Sequence, residues 1–218
     1  MPVAEARVDG SVPRVSFYER HVFSRLMDHA MSAAALSKLR AALLAAVQGD
    51  VLEIGFGTGL NLPHYPAAVR SLTAVDPLDA LRDRVAARMA AAPFPVERVA
   101  LSADGRLPFD DARFDFAVST WTLCSIPDAV ASVREIRRVL KPGGRFLFLE
   151  HGVSDDARTA RWQRRVEPLH KRIGAGCHLT RPIDAIVRAG GFDPGPVRRF
   201  LLPGPRILSE MYEGSATR

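Results

Sequence analysis

Three acids stand where apolar runs of the chain stop, each with a different possible chemistry. Glu53 lies in Val51-Leu52-Glu53-Ile54, a run that ends in Gly55, Gly57 and Gly59. Glycines at that spacing let the backbone turn tightly and let a ligand touch the main chain. A carboxylate inside an apolar run is costly without donors. Glu53 is therefore expected to face loop N–H groups or the ammonium of a ligand. Asp76 follows Leu72 to Val75, about twenty residues after Gly55, where an acid can accept both hydroxyls of an unphosphorylated ribose. The alternative for Asp76 is a helix cap before Pro77. Asp104, in Ser102-Ala103-Asp104-Gly105, can accept from an exocyclic amine such as adenine offers. Alone it is as readily a turn residue; as the third strand-end acid in register it reads as a ligand residue.

The glycine spacing separates two nucleotide classes. A dinucleotide fingerprint reads Gly-x-Gly-x-x-Gly, and this chain has Leu60 where the third glycine belongs. A Tyr-x-x-x-Lys pair, one common route to hydride transfer, is also missing. Two histidines could accept a proton near neutral pH: His151, after the fifth strand run, and His178, in the segment Gly176-Cys177-His178. His170 is a weaker third candidate, and each also has a purely structural reading. Cys124 and Cys177 read as small apolar residues. Their separation excludes a disulfide framework and a Cys-x-x-Cys metal site, and no metal is expected.

These residues need strands that end on one side. Apolar runs at 51–54, 72–75, 96–101, 114–119 and 145–149 alternate with helical patterns at 78–91, 128–140 and 183–189. Two last strands are expected at 197–202 and 208–212. Asp128 is placed to cap its helix, and Lys141-Pro142-Gly143-Gly144 ends it. Such alternation implies a mostly parallel sheet covered on both faces, with ligands at the carboxyl ends of the strands. Upstream, apolar residues recur at helical spacing from Phe17 to about Val47. The expected organisation is a loose tail over 1–14 and one domain over 15–218, whose residues 15–48 form a helical lid over the ligand edge.

Composition sets outer bounds. At 218 residues and 47% hydrophobic content, the chain suits one soluble α/β domain. No apolar run approaches the ~18–20 residues of a membrane span, and no leader pattern opens the chain. With two cysteines, a reducing, cytoplasmic setting is expected. The net charge of +6 favours acidic partners. Arg158, Arg161, Arg164, Arg165, Lys171 and Arg172 form one cluster, read first as a solvated helix face. Contact with an anionic surface is the alternative.

Taken in order, Leu-Glu-Ile-Gly-Phe-Gly-Thr-Gly, Val-Asp-Pro, Ala-Asp-Gly-Arg-Leu-Pro-Phe and Arg-Val-Leu-Lys-Pro-Gly-Gly resemble the class I S-adenosylmethionine (SAM)-dependent methyltransferases. The closer likeness is to the methyltransferase type 11 group, which includes phospholipid N-methyltransferase-like bacterial proteins and the eukaryotic methyltransferase-like thiol methyltransferases. Asn61-Leu62-Pro63-His64-Tyr65, Ser119-Thr120-Trp121-Thr122-Leu123-Cys124-Ser125-Ile126-Pro127, Phe148-Leu149-Glu150-His151-Gly152, Gly176-Cys177-His178-Leu179-Thr180-Arg181 and Met211-Tyr212-Glu213-Gly214 are similar to that group. The likeness covers about residues 16 to 216.

The resemblance implies a Rossmann-like sheet of seven strands with an antiparallel last strand. It implies that Glu53 and Gly55, Phe56, Gly57, Thr58 and Gly59 hold the methionine part of SAM. Asp76 would hold the ribose, and Asp104 and Gly105 the adenine. Trp121, Thr122 and Leu123 would border the sulfonium, and Tyr18 would close the pocket. Asn61, Leu62, Pro77, Ala103 and Thr120 complete the expected cofactor contacts, with S-adenosylhomocysteine as product. The acceptor is expected to be a small molecule or lipid carrying an N, O or S nucleophile. No counterpart of the hydrophobic N-terminal anchor of the thiol enzymes is read here, so at most peripheral contact with an anionic membrane is expected. Nucleic acid is not: Ser119-Thr120-Trp121-Thr122 stands where base-amine methylating enzymes often place an (Asp/Asn/Ser)-Pro-Pro-(Tyr/Phe) segment, and no RNA-binding domain is visible. A SAM-binding protein without catalysis and a nicotinamide oxidoreductase are the competing readings.

Overall fold

The computed structural model describes residues 22–77 and 81–218. Seven strands form one sheet in the order β3-β2-β1-β4-β5-β7-β6. The strands are β1 (Gly49–Ile54), β2 (Val69–Val75), β3 (Val96–Val99), β4 (Phe114–Thr120), β5 (Leu140–His151), β6 (Arg198–Leu201) and β7 (Glu210–Thr217). The first five pair in parallel. β7 runs antiparallel to both β5 and β6, so it is the single reversed strand. The carboxyl ends of β1 to β5 therefore share one edge, and that edge is where the candidate residues gather.

Side chains alternate across a strand, and the central strands use both faces. Leu52, Ile54, Ala117, Phe146 and Phe148 face one core with Val133 and Ile136 of α4 (Ala129–Val139) and Ile183 and Val187 of α6 (Ile183–Ala189). Val51, Phe116, Val118 and Leu147 face the other, with Leu44 of α2 (Ala34–Leu44) and Val85 of α3 (Arg82–Ala90). Burial on both faces is why these runs carry so few polar residues, and why Glu53 and Glu150 stand out within them.

Several boundaries differ from the sequence expectation for physical reasons. The single helical region expected from Phe17 divides at Ser32 and Ala33 into α1 (Ser24–Met31) and α2. There Ser32 caps α1 by donating its hydroxyl to His29 O at 2.7 Å. Phe17 to His21 and Leu78 to Ala80 lie outside the described residues. The strand expected at 208–212 lies instead at Glu210–Thr217, because a 3-10 turn at Arg206–Leu208 precedes it. The basic cluster lies on α5 (Ala157–Ile173), capped by Asp156, which accepts from Thr159 N at 2.7 Å.

Arg138 anchors the loop before β4 to the end of α4. Its guanidinium donates to Glu135 at 2.7 Å, to Asp111 at 2.6 Å, and to the carbonyls of Phe109 and Leu107 at 2.8 and 2.9 Å. Arg138→Met would strand those carbonyls in a largely buried place. We expect a loss of about 1.5–3 kcal/mol, read as a lower urea midpoint with an unchanged slope.

Candidate active site

Glu53 ends β1 at 1% exposure. Its two oxygens accept from Asn61 Nδ2 at 2.9 Å and from Tyr65 OH at 2.8 Å. The donors are side chains of the following loop, where the sequence reading expected its backbone N–H groups or a ligand ammonium. Burial pushes the Glu53 carboxyl up to about 7, against those bonds and the nearby Arg40 charge. The same Asn61 amide donates to Thr120 Oγ1 at 3.0 Å, tying the loop after β1 to the end of β4. Asn61 Oδ1 remains buried with no hydrogen-bond partner among the described residues.

The glycine loop bends over the strand ends. Gly55 has φ +77°, and a Cβ there would lie 1.9 Å from Thr122 Oγ1, so nothing larger than hydrogen fits. Phe56 and Leu62 pack down into the core beneath the loop. Gly57 N donates to Asp76 Oδ2 at 2.7 Å, joining the loop to the end of β2. Pro77 follows, half-buried. Beyond β3, Ala103 is buried, Asp104 half-buried and Gly105 exposed. Thr58 Oγ1 donates to Asp28 of α1 at 2.5 Å. Asp28 also receives Arg88 at 2.6 Å and is paired with Arg84. Burial alone would raise the Asp28 carboxyl, but the bonds from Arg88, Thr58 and Arg84 hold it down to about 2.

The turn after β4 rests on a second buried acid that sequence reasoning quoted but gave no role. Glu150 of β5 is fully buried. It accepts from Ser119 Oγ at 2.7 Å and Thr122 N at 2.8 Å, with further bonds to the backbone of Leu123 and Cys124. Burial outweighs these donors and lifts its carboxyl to about 7. The donors hold a turn in which Trp121 takes φ +51°, a conformation costly for a residue with a Cβ. Its one sequence signal was an acid in the otherwise apolar run Phe146 to Leu149. Leu123 lies wholly in the core.

His151 is 6% exposed, and its Nε2 is buried without a partner among the described residues. Its Nδ1 lies 3.9 Å from Cys177 Sγ. Cys124 is buried as expected, whereas Cys177 is only half-buried. Bonds from the Cys124 thiol and the His151 and His170 rings pull the Cys177 thiol down, while Cys124 is pushed up. His178 is placed differently: Nδ1 lies 3.3 Å from Glu167 Oε1, and its backbone N donates to Cys124 O at 2.8 Å. Burial lowers its pKa. The 174–180 segment thus closes on the turn after β4. The N-terminal helices reach the same edge, because Arg40 of α2 lies 4.6 Å from the centre of the Trp121 ring. Tyr18 lies outside the described residues.

Three observations fit a nucleoside ligand with an amino-acid tail. Positions 57 and 105 have open space where a Cβ would stand, Asn61 Oδ1 lacks a partner, and buried acids end β1 and β2 side by side. A cleft at the opposite edge, lined by Gly49, Arg70, Asp115 and Lys141, fits less well. Its charges pair with one another: Asp115 meets Arg70 at 2.9 Å and Lys141 at 2.7 Å.

Comparison with known proteins agrees with this fold. Residues 52–148 match a family described as a methyltransferase domain. The chain is 38% identical over 170 residues to thiol S-methyltransferase TMT1B of Rattus norvegicus, covering 73% of this chain and 69% of that one. It is 28% identical over 135 residues to phosphatidylethanolamine N-methyltransferase of Cereibacter sphaeroides, covering 62% and 66%. Among solved structures, 1,6-didemethyltoxoflavin-N1-methyltransferase of Burkholderia thailandensis, with 1,6-didemethyltoxoflavin and S-adenosylhomocysteine bound, superposes with a TM-score of 0.60 at 22% identity. That match covers 97% of this chain and 93% of the other.

A raised carboxyl pKa has a definite thermodynamic sign. Folded Glu150 holds its proton up to about pH 7, while in the unfolded chain it ionises near ~4.3. Its contribution to stability therefore falls as pH rises between those values and levels above them. Urea denaturation of the parent and Glu150→Gln at pH 5 and pH 8 is expected to show the stability difference moving in the variant's favour at the higher pH. A constant difference would mean that Glu150 is ionised throughout.

Proposed function

Because this chain belongs to the SAM-dependent methyltransferases, the family that includes the thiol S-methyltransferases, and moves a methyl group to a small-molecule acceptor, we propose that its acceptor is a small thiol bound over the ends of β4 and β5. The observation that carries this reading is the buried, unpartnered Nε2 of His151 at that edge. The name of the relative from Rattus norvegicus supports the choice of sulfur over nitrogen or oxygen.

When bound, SAM supplies an electrophilic methyl on sulfur with a neutral thioether as leaving group, so the protein's task is alignment and exclusion of water. In this reading Glu53, Asn61 and the 55–59 loop hold the amino-acid end, with Phe56 and Leu62 supporting the loop from the core. Asp76 and Pro77 hold the ribose, and Ala103, Asp104 and Gly105 the adenine. Thr120, Trp121 and Thr122 wall the methyl, with Leu123, expected beside the sulfonium, lying behind them in the core. α1 and α2 act as a lid, latched to the loop through Asp28 and to Trp121 through Arg40. His151 takes the thiol proton on Nε2. His178, held by Glu167, shapes the acceptor wall.

A second reading concerns the enzyme's surroundings. No described helix is long and apolar enough to cross a membrane. On α5, however, Trp162, Leu169 and Ile173 are exposed among Arg158, Arg161, Arg164, Arg165, Lys171 and Arg172. Apolar and cationic side chains sharing one helix surface favour peripheral contact with anionic lipid. The two free thiols favour a reducing, cytoplasmic setting.

Labelled SAM offered with pooled small thiols, amines, phenols and phospholipids is expected to label thiols first. With a confirmed thiol, His151→Ala should lower kcat by about 10²-fold or more at pH 7. The deficit should shrink at pH 9, where a thiol of pKa near ~8.5 ionises unaided. Near-normal kcat at pH 7 would remove His151 from the proton path. For the membrane reading, co-sedimentation with phosphatidylglycerol vesicles but not phosphatidylcholine vesicles is expected. It should fall when Trp162 and Arg165 are both changed to Ser; equal pelleting with both vesicle types would refute it.

A further inference from the structure

Arg40 is the most deeply buried cation at the ligand edge that the reading above does not assign to a ligand. It belongs to α2 and is 4% exposed. Nη1 donates to Met31 O at 2.8 Å, at the end of α1. The guanidinium stacks over Trp121 at 4.6 Å, while Nε is buried and meets no acceptor among the described residues. The acid whose charge it feels is Glu53, and both Glu53 oxygens are already taken by Asn61 and Tyr65. A buried guanidinium left short of acceptors is expensive.

A second unmet group lies close by. Asn61 is bonded to the same Glu53, and its Oδ1 is a buried acceptor without a donor. A cation seeking an acceptor and a carbonyl oxygen seeking a donor, both gathered around Glu53, match the two charges of a free amino acid.

We propose that Arg40 receives the carboxylate of the cofactor's amino-acid end while Asn61 Oδ1 receives its ammonium, so that the lid itself holds part of the cofactor. This rests on the reading of the loop after β1 as the amino-acid end of the SAM site. Its consequence is directional: a carboxylate-bearing ligand draws α2 onto the sheet, and a ligand without one leaves α2 as it was.

The test uses the intact protein and two ligands, S-adenosylhomocysteine and its decarboxylated analogue, which keeps the ammonium, ribose and adenine. Calorimetry on the parent should show S-adenosylhomocysteine bound at least tenfold more tightly. Arg40→Met should bind the two alike, close to the parent's affinity for the analogue, and Arg40→Lys should recover part of the preference. Hydrogen exchange should show α2 amides protected by S-adenosylhomocysteine and not by the analogue. A parent that does not distinguish the ligands, or an Arg40→Met variant that distinguishes them as the parent does, overturns the proposal. If Arg40→Met does not fold, the parent's ratio and Arg40→Lys decide. Asp76→Ala should weaken both ligands equally. If it weakens neither, or the parent binds neither, the reading of the site fails and takes this proposal with it.

Discussion

Two carboxylates are buried where three neighbouring strands end, and the loops of the site are arranged around the need to satisfy them. Glu53 ends β1 and Glu150 ends β5, with β4 between them. An unpaired acid at such depth would cost several kcal/mol. Its donors come from the neighbouring loop, strand and turn: Asn61 and Tyr65 for Glu53, and Ser119 with the Thr122 backbone for Glu150. Asn61 also reaches Thr120, so the loop after β1 and the turn after β4 are set relative to each other. The left-handed backbone at Trp121 persists because Glu150 fixes the residue that follows it.

The N-terminal helices join this frame by charge as well as by apolar packing. Asp28 is nearly sealed, and its two arginines differ in what they contribute. The side chain of Arg88 is 23% exposed and that of Arg84 is 54% exposed, so solvent screens the second pair far more than the first. Arg88 also donates to Thr58 O at 2.7 Å. One cation thereby touches both α1 and the loop beneath it, and the position of α1 is coupled to the shape of that loop.

Much of this was legible in the sequence where local pattern and function coincide. Gly55, Gly57 and Gly59 behind Glu53, Asp76 behind an apolar run, and a mostly parallel sheet follow from spacing and alternation, whereas the seven-stranded arrangement with a reversed last strand came from the resemblance. Asp128 caps α4 as its position suggested, accepting from Ala131 N at 2.9 Å. Glu150 gave the same signal as Glu53, an acid in an apolar run, yet its role depends on a turn from another strand, which spacing along β5 cannot express. Arg40 sat in a helical pattern as one charged residue among many; its place over Trp121 is a contact between elements far apart in the chain. The position of β7 was hidden for the same reason: only its pairing with β5 on one side and β6 on the other places it between them.

That interleaved strand bears on how the chain is made. During synthesis β5 emerges well before its outer neighbour, which is translated only after α5, α6 and β6 have followed. Until then β5, with Phe146, Leu147, Phe148 and Leu149 along it, presents an open row of backbone donors and acceptors beside an uncovered apolar surface, the type of edge on which nascent chains associate wrongly. Tyr212, wholly enclosed in the finished protein, reaches the interior only with β7. The nascent domain thus depends, for the time it takes to translate these segments, on whatever shields an unfinished sheet from its neighbours on the same message.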